Sequence, residues 1–316
     1  MPEVSLVIPV FDERDNLQPL HAAIVSAIGD RDFEAIYVND GSTDGSTEVL
    51  NALAESDERV RVLHFTRNYG QTAALRAGLR HTRADAIVTL DADLQNDPAD
   101  IPMLLAELEE NDVACGWRKS RKDAFLTRTF PSRVANALIS KLSKVPLHDY
   151  GCTLRAYRAE FIRDVPLYGE MHRFIPIYVT WAGARLTEVP VRHHPRKHGQ
   201  SKYGLSRVFK VLLDLTTLKF LRDFFITPIY FFGWVGLLLA LAGLFCGAAA
   251  VGLTVWGDWD SLALGLALLS PLLMIFGAVE VTLGIIAEVL IRMHHELQAK
   301  EPYKIRESRN LSVDSD

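Results

Sequence analysis

The sequence predicts an α/β protein: a doubly wound sheet domain that runs into a membrane-spanning helical hairpin. Three observations predict it. Strand-length apolar runs alternate with helical patterns through the first third of the chain. Acid-bearing turns recur where those strands end. From Phe224 to Gly257 there is no charged residue at all, a run longer than the ~20 apolar residues that cross a bilayer.

Taken in order, VSLVIPV (4–10) is a short apolar strand, its turn carries FDERD, and NLQPLHAAIVSAI follows with helical spacing. EAIYVND is the second strand, and its turn GSTDGS ends in a cap for the helix STEVLNALAES. VRVLHF is the third strand, and NYGQTAALRAGLRHT is a helix opened by a glycine-bearing loop. DAIVTL is the fourth strand; it delivers LDADLQNDP (90–98), after which DPADIPMLLAELEE is helical. VACGWR is the fifth. Beyond it a basic loop, RKSRKDAFLTRTFPSRVANALISKL, leads into a helix. DYGCTLRAYR reads as a strand returning to the sheet, and RLTEVPVRHH as another. Right-handed crossovers set the C-terminal ends of parallel strands along one edge, where such sheets bind ligands. FDERD, NDGSTD and DADLQND all fall on that edge.

The membrane region follows a basic loop, PRKHGQSKYG, and the stretch GLSRVFKVLLDLTTLKFLRDFF. Apolar residues at helical spacing among Lys and Arg predict an interfacial amphipathic helix there. A second apolar run, Ser261 to Ala287, holds a single acid, Glu280, and only GDWD separates the two runs. The flanks are basic and the turn acidic, which places both ends of the hairpin in the cytoplasm. Glu280 stays open between a functional acid, an oligomer contact and a snorkelling side chain. The N-terminus reads as a strand, not as a cleaved signal. The expected boundaries are 1–203 for the sheet domain, 204–226 for the amphipathic helix, 227–290 for the two spans and 291–316 for a cytoplasmic tail.

The net charge of −5 argues against nucleic-acid binding through bulk charge. Residues 1–115 are acid-rich, whereas 116–222 carry many Arg, Lys and His. Three widely spaced cysteines fit a reducing compartment and offer no metal-ligand pair. The ten histidines, including His193/His194 and His294/His295, show no helical metal spacing and read as surface residues.

Within LDADLQNDP, Asp91 and Asp93 alternate with Ala92, so an extended strand end points both to one side. Two such carboxylates suit a hard divalent cation, Mg²⁺ or Mn²⁺, with positions left for phosphate oxygens; Gln95 stands at the next same-side position. Asp97 before Pro98 reads instead as a helix N-cap with proline at N1. Asp40 at the second strand end either accepts hydrogen bonds from a nucleobase or ribose, or serves the turn, with Ser42, Thr43 and Asp44 as caps. The density of Arg and Lys at 118–133 and 196–202 suits phosphate oxygens. Juxtamembrane basic residues alternatively attract anionic lipid, and that reading fits Arg207, Lys210, Lys219 and Arg222 best.

Four motifs in order, RNYGQ (67–71), LDADLQNDP (90–98), DYGCTLRAYR (149–158) and GQSKY (199–203), together with the hairpin, resemble the family 2 glycosyltransferases of GT-A fold. The likeness is to their membrane-anchored polyprenyl-phosphate branch: dolichyl-phosphate mannose synthases, bactoprenol glucosyltransferases and, nearest in motif, undecaprenyl-phosphate 4-deoxy-4-formamido-L-arabinose transferases. It spans nearly the whole chain. The resemblance implies that Pro9, Asp12, Glu13 and Asp40 hold the nucleotide. It implies that Asp91 and Asp93, with Gln95 nearby, hold the metal on the diphosphate, and that Asp149 acts at the reaction centre beside Asp93. Arg196, Gly199, Ser201 and Lys202 would close over the phosphates, and Arg118, Arg128 and Ser132 would meet the lipid phosphate. Where the family often has an acid, this chain has Asn39.

The implied reaction is inverting, metal-dependent transfer of a sugar from a nucleotide-sugar, a UDP-sugar favoured, to undecaprenyl or dolichyl phosphate at the cytoplasmic face of the inner membrane. Related enzymes form homotetramers. Two rivals stand beside it. A processive polysaccharide synthase would carry a Gln-x-x-Arg-Trp motif and more spans, and the comparable HRFIPIYVTWAG lacks it. An inactive membrane scaffold would have no reason to keep Asp91, Asp93, Asp149 and Lys202.

Overall fold

Val, Ile and Leu fill the first strand, β1 (Val4–Val10), because it lies in the middle of the sheet with both faces covered. β2 (Phe33–Asn39) and β4 (Ala86–Thr89) flank it in parallel, and β3 (Val60–Phe65) extends the parallel set beyond β2. The computed structural model describes residues 1–119, 136–137, 139–141, 143–163, 165, 167, 171–195, 228–256, 260–296 and 305–310. Four more strands complete an eight-stranded sheet: β5 (Val113–Trp117), β6 (Arg155–Arg158), β7 (Leu186–Pro190) and β8 (Ile305–Arg309), in spatial order β7-β5-β6-β4-β1-β2-β3-β8.

The sheet is mixed. β6 inserts antiparallel between β4 and β5, while β7 runs parallel to β5. The returning strand expected within 149–158 is therefore real, and it separates two strands that a simple parallel order would set side by side. β8 was not expected. A five-residue strand from the stretch read as a tail runs antiparallel to β3, with a register shift between His64 and Phe65, and closes that edge. Ile305, opposite Phe65 in register, packs against the buried cluster that includes Ile36, Val38 and Leu63, and the Asn310 side chain donates to the carbonyls of Ala54 and Val60, both at 2.9 Å.

Helices α1 (Arg14–Ile28), α2 (Ser46–Ser56), α3 (Gln71–Arg80) and α4 (Ile101–Glu107) alternate with the parallel strands as the periodicity predicts. Asp97 accepts the Ala99 N–H at 3.0 Å with Pro98 at the first position of a 3₁₀ turn, so the predicted N-cap stands.

The hairpin forms a second compact unit. Its helices, Pro228–Trp256 and Asp260–Glu296, contain apolar stretches of 27 and 30 residues, long enough to cross a membrane. They pack antiparallel through small residues. A Cβ on Gly236 would stand 2.6 Å from the Gly277 carbonyl oxygen, and one on Gly277 would meet the Gly236 oxygen at the same distance. Close backbone approach of this kind gives membrane helices the van der Waals contact that lipid-facing leucines cannot. Glu280 is half-buried on the second helix. The amphipathic stretch before the hairpin and the GDW of its turn lie outside the described residues.

Candidate active site

The first two strand-end loops are stitched to one another. Asp12, in the left-handed region at φ 54°, donates its N–H to Ser42 Oγ at 3.0 Å, and its carboxylate accepts the Thr43 N–H at 2.8 Å. The Glu13 N–H donates to Ser46 Oγ at 3.2 Å, and the Arg14 N–H to Asp44 at 3.0 Å. Asp44 also accepts the Ser46 N–H and hydroxyl, a turn bond rather than the expected cap, because the N-cap of α2 is Gly45 in the left-handed region with no side-chain cap bond. Pro9 is half-exposed on β1, beside Val38.

The third loop ties on through Asp40. Its carboxylate accepts the N–H groups of Tyr69 at 2.6 Å and Gly70 at 2.9 Å, and burial pushes its pKa up against these bonds. Gly41 permits the approach: with φ 71°, a Cβ there would stand 2.4 Å from the Arg67 carbonyl carbon. Asp40 thus sits 3% exposed beneath the turn, shaping it through the RNYG backbone.

The fourth loop carries the acid pair, and here the local geometry differs from the extended end that alternation suggests. β4 stops at Thr89, residues 92–94 turn, and Leu94 adopts φ 58°. The turn, not strand alternation, brings Asp91 and Asp93 within electrostatic reach. Asp91 has its carboxyl pushed up to about 7. Desolvation is the largest cause and Asp93 the next; Thr153 and Arg118 oppose it, and Glu13 adds to it. Gln71, at the start of α3, donates its side-chain amide to Asp91 Oδ1 at 2.7 Å. Asp93 is 7% exposed and accepts the Gln95 N–H at 3.1 Å. Gln95 also accepts the His194 N–H at 2.8 Å, so its backbone joins this loop to the chain leaving β7. Asp97 binds the same segment through Arg192 and His194.

Asp149 lies 3% exposed and accepts Arg118 Nε at 2.7 Å and Nη2 at 2.8 Å, a two-point pairing, plus the Gly151 N–H at 3.0 Å. Arg118, read from sequence as a lipid-phosphate ligand, is here the partner of Asp149 while acting electrostatically on Asp91. One guanidinium therefore links the two acidic centres. Glu188 of β7 holds the turn from behind: it accepts the backbone N–H groups of His148 and Asp149 and the His148 ring Nδ1 at 2.7 Å. Buried Arg155 donates to the Tyr150 carbonyl at 2.7 Å.

Among the described residues no cluster of three or more His, Cys, Asp or Glu forms a metal cage. The pair still fits a divalent cation. A desolvated carboxyl raised by a neighbouring acid marks a deficit of positive charge, and Mg²⁺ or Mn²⁺ bound to phosphates needs only one or two protein carboxylates. Arg128, Ser132, Arg196, Gly199, Ser201 and Lys202 lie outside the described residues.

Residues 5–165 match glycosyl transferase family 2. The chain belongs to that family. It is 40% identical over 321 residues to dodecaprenyl-phosphate galacturonate synthase of Rhizobium johnstonii, covering 96% of this chain and 92% of that one. It is 36% identical over 310 residues to undecaprenyl-phosphate 4-deoxy-4-formamido-L-arabinose transferase of Edwardsiella ictaluri, covering 96% and 93%. Among solved structures, glucosyl-3-phosphoglycerate synthase from Mycobacterium tuberculosis, in complex with Mn²⁺, UDP and glucosyl-3-phosphoglycerate, superposes with a TM-score of 0.53 over 70% of this chain and 80% of that one, at 16% identity. That likeness is one of fold.

In this glycosyltransferase the C-terminal edge of the sheet carries Asp12, Glu13, Asp40, Asp91 and Asp93, and Arg118, paired with Asp149, acts electrostatically on Asp91 from the strands beside them. Sequence reasoning missed Gln71 and Glu188. Gln71 was visible within RNYGQ, but nothing local says that its amide reaches a carboxylate 20 residues on. Glu188 sits in RLTEVPVRHH, which reads only as a strand, and nothing local says that its carboxylate reaches backbone N–H groups 39 and 40 residues back.

Proposed function

We propose that the enzyme transfers a sugar from a nucleotide-sugar, a UDP-sugar favoured, to the phosphate of a polyprenyl phosphate at the cytoplasmic face of the membrane, with Mg²⁺ or Mn²⁺ at Asp91 and Asp93. The observation that carries this reading is the desolvated Asp91 carboxyl, raised by the neighbouring Asp93, on an edge built by three stitched loops. The relatives named for polyprenyl-phosphate sugar transfer align over the hairpin as well as the sheet. β8 supports the placement of both hairpin flanks on one side of the membrane, because chain before and after the two helices belongs to one sheet. A homo-oligomer, tetrameric by resemblance, is part of the same reading.

Asp91 and Asp93 would hold the divalent cation, which when bound would supply charge neutralisation for the leaving diphosphate. The chain's own residues do the rest. The stitched loops carrying Pro9, Asp12, Glu13 and Asp40 shape the nucleotide pocket, and Gln71 holds Asp91 by one oxygen. The acceptor is a phosphate monoester with a second pKa of ~6, largely dianionic at neutral pH. Its oxygen attacks the anomeric carbon from the face opposite the diphosphate; that C–O bond breaks and the electron pair leaves on the diphosphate. No proton must be removed from such an acceptor. Asp149, already engaged by Arg118, orients that guanidinium toward the incoming anion rather than serving as a base. Arg128, Ser132, Arg196, Ser201 and Lys202 complete the countercharge in this reading.

The test is the purified full chain in detergent with a short polyprenyl phosphate, Mg²⁺ or Mn²⁺ and a panel of UDP-sugars, including uronic acid and formamido-pentose donors. Release of UDP together with a lipid-linked monosaccharide supports the proposal. UDP release without lipid product, or neither with any donor, overturns it. Asp149→Asn retaining most of its turnover at neutral pH supports the orienting role, whereas loss with unchanged donor and metal binding favours a base.

A further inference from the structure

Behind the 40–46 turn lies a line of buried polar groups that the reaction above does not use. Asn39 is 2% and His64 4% exposed, so this histidine is buried where its sequence reads as surface. The Ser42 backbone N–H donates to Asn39 Oδ1 at 3.0 Å. A backbone N–H can only donate, so that atom is the amide oxygen and its twin is the NH₂ group. The NH₂ donates to Thr47 Oγ1 at 2.9 Å and faces His64 Nδ1 at 3.0 Å. Nδ1 must then accept, which puts the ring proton on Nε2, and Nε2 lies 3.1 Å from the acceptor Asn51 Oδ1. The relay thus runs from the turn to the ring and on to α2, with every donor facing an acceptor.

We propose that His64 is a positioning residue for the nucleotide turn, acting as a neutral imidazole with its proton on Nε2 to hold Asn39, and through Asn39 the backbone of Ser42. The inference rests on the reading of the 40–46 turn as nucleotide-binding.

A proton on Nδ1 would face the Asn39 NH₂ donor to donor. The amide must then turn or withdraw, and Ser42 loses its acceptor. Burial favours the neutral ring and holds the His64 pKa below its ordinary value. The charged groups acting on it come from two elements. Glu48 of α2 and Glu307 of β8, which lies opposite His64 in register, favour protonation, and Arg309 of β8 opposes it. Asn39 is what makes the relay neutral. An acid at this position would accept from a protonated Nδ1 and stabilise the imidazolium, so Asn39→Asp reverses the logic.

The experiment uses the full chain in detergent micelles, with ¹⁵N-labelled histidine and UDP plus Mn²⁺ as the probe. At pH 7.5 the His64 nitrogens should show a neutral ring protonated on Nε2. Between pH 7.5 and 5.5, UDP affinity should weaken several-fold more in the wild type than in Asn39→Asp or His64→Gln. The terminal phosphate of UDP takes up its proton equally in all three, so the difference reports the relay. A ring protonated on Nδ1 at pH 7.5, or the same pH dependence in all three proteins, overturns the proposal. UDP binding to none of them at pH 7.5 overturns the nucleotide reading of the turn instead, and the ring tautomer distinguishes that failure from a failed relay.

Discussion

The two edges of one sheet treat buried acids in opposite ways. At the N-terminal edge Glu34, 5% exposed, accepts the Ser5 hydroxyl at 2.6 Å and the Arg83 N–H at 2.7 Å and pairs with the guanidinium of Arg61. Arg61 in turn donates to the His81 carbonyl at 2.8 Å. At the C-terminal edge Asp91 has a neutral hydrogen-bond donor in Gln71; the acids Asp93 and Glu13 act on it, opposed by Thr153 and by Arg118, a cation already paired with Asp149. Burial therefore does not separate structural from functional acids. Compensation does. A folded chain matches a buried charge with a partner unless something else arrives to match it.

The comparison breaks most sharply if the two edges are exchanged in their response to mutation. Asp91→Asn should lower turnover by more than about a hundredfold, since neutralising the leaving diphosphate is worth several kcal/mol. Its thermal midpoint should hold or rise, because one of two repelling carboxylates is gone. Arg61→Met should do the reverse. It strands Glu34 and should cost about 3–5 kcal/mol in denaturant unfolding, while turnover per folded molecule stays near wild type. Adding Glu34→Gln to Arg61→Met should recover much of that loss. An Asp91→Asn protein that unfolds as readily as Arg61→Met would erase the distinction.

Gln71 sharpens the comparison, because it touches the acid pair without carrying charge. Removing an outer-shell partner of a metal ligand typically costs about ten- to a hundredfold in metal affinity or activity. Gln71→Ala should show that loss in Mn²⁺ binding measured by electron paramagnetic resonance in the presence of UDP. Its stability should stay within about 0.5 kcal/mol of wild type. A large stability loss with unchanged Mn²⁺ affinity would make Gln71 a helix-terminus residue and nothing more.

What was legible in the sequence divides along the same line. β1 to β4 and their helices declare themselves, because strands buried on both faces need continuous apolar runs and the intervening helices need their stripes. The acids at the strand ends were legible because crossover handedness places them together. β8 was not: IRESR alternates charge, as a solvated tail does, and it becomes a strand only because β3 offers an open edge. The assignment of Arg118 to Asp149 was equally invisible, since it joins residues 31 apart through tertiary packing. Local pattern reports what a residue is and where its backbone goes, but not which distant partner reaches it first.

The smallest expected effect tests the two edges through histidine. His21 of α1 lies 3.2 Å from both the Tyr37 hydroxyl and Asp57. Its pKa is lowered chiefly by burial, against the opposing pull of Asp57. A histidine lowered in the fold binds fewer protons than it does unfolded, so its stabilisation is complete above ~6.5 and is lost as pH falls below that value. Asp57 itself, held down to about 2 mainly by its hydrogen bond with Arg59, stays ionised through this window and adds no slope. His21→Gln should therefore flatten the fall in thermal midpoint between pH 7.5 and 5.5 while leaving the pH dependence of UDP affinity as in the wild type. His64 shifts in the same direction but sits at the edge where the loops meet, so its replacement should change the UDP profile as well. If both variants altered only the thermal midpoint, the relay behind the turn would be scaffolding; if both altered UDP affinity, the two edges would be coupled through the sheet and not separable as argued.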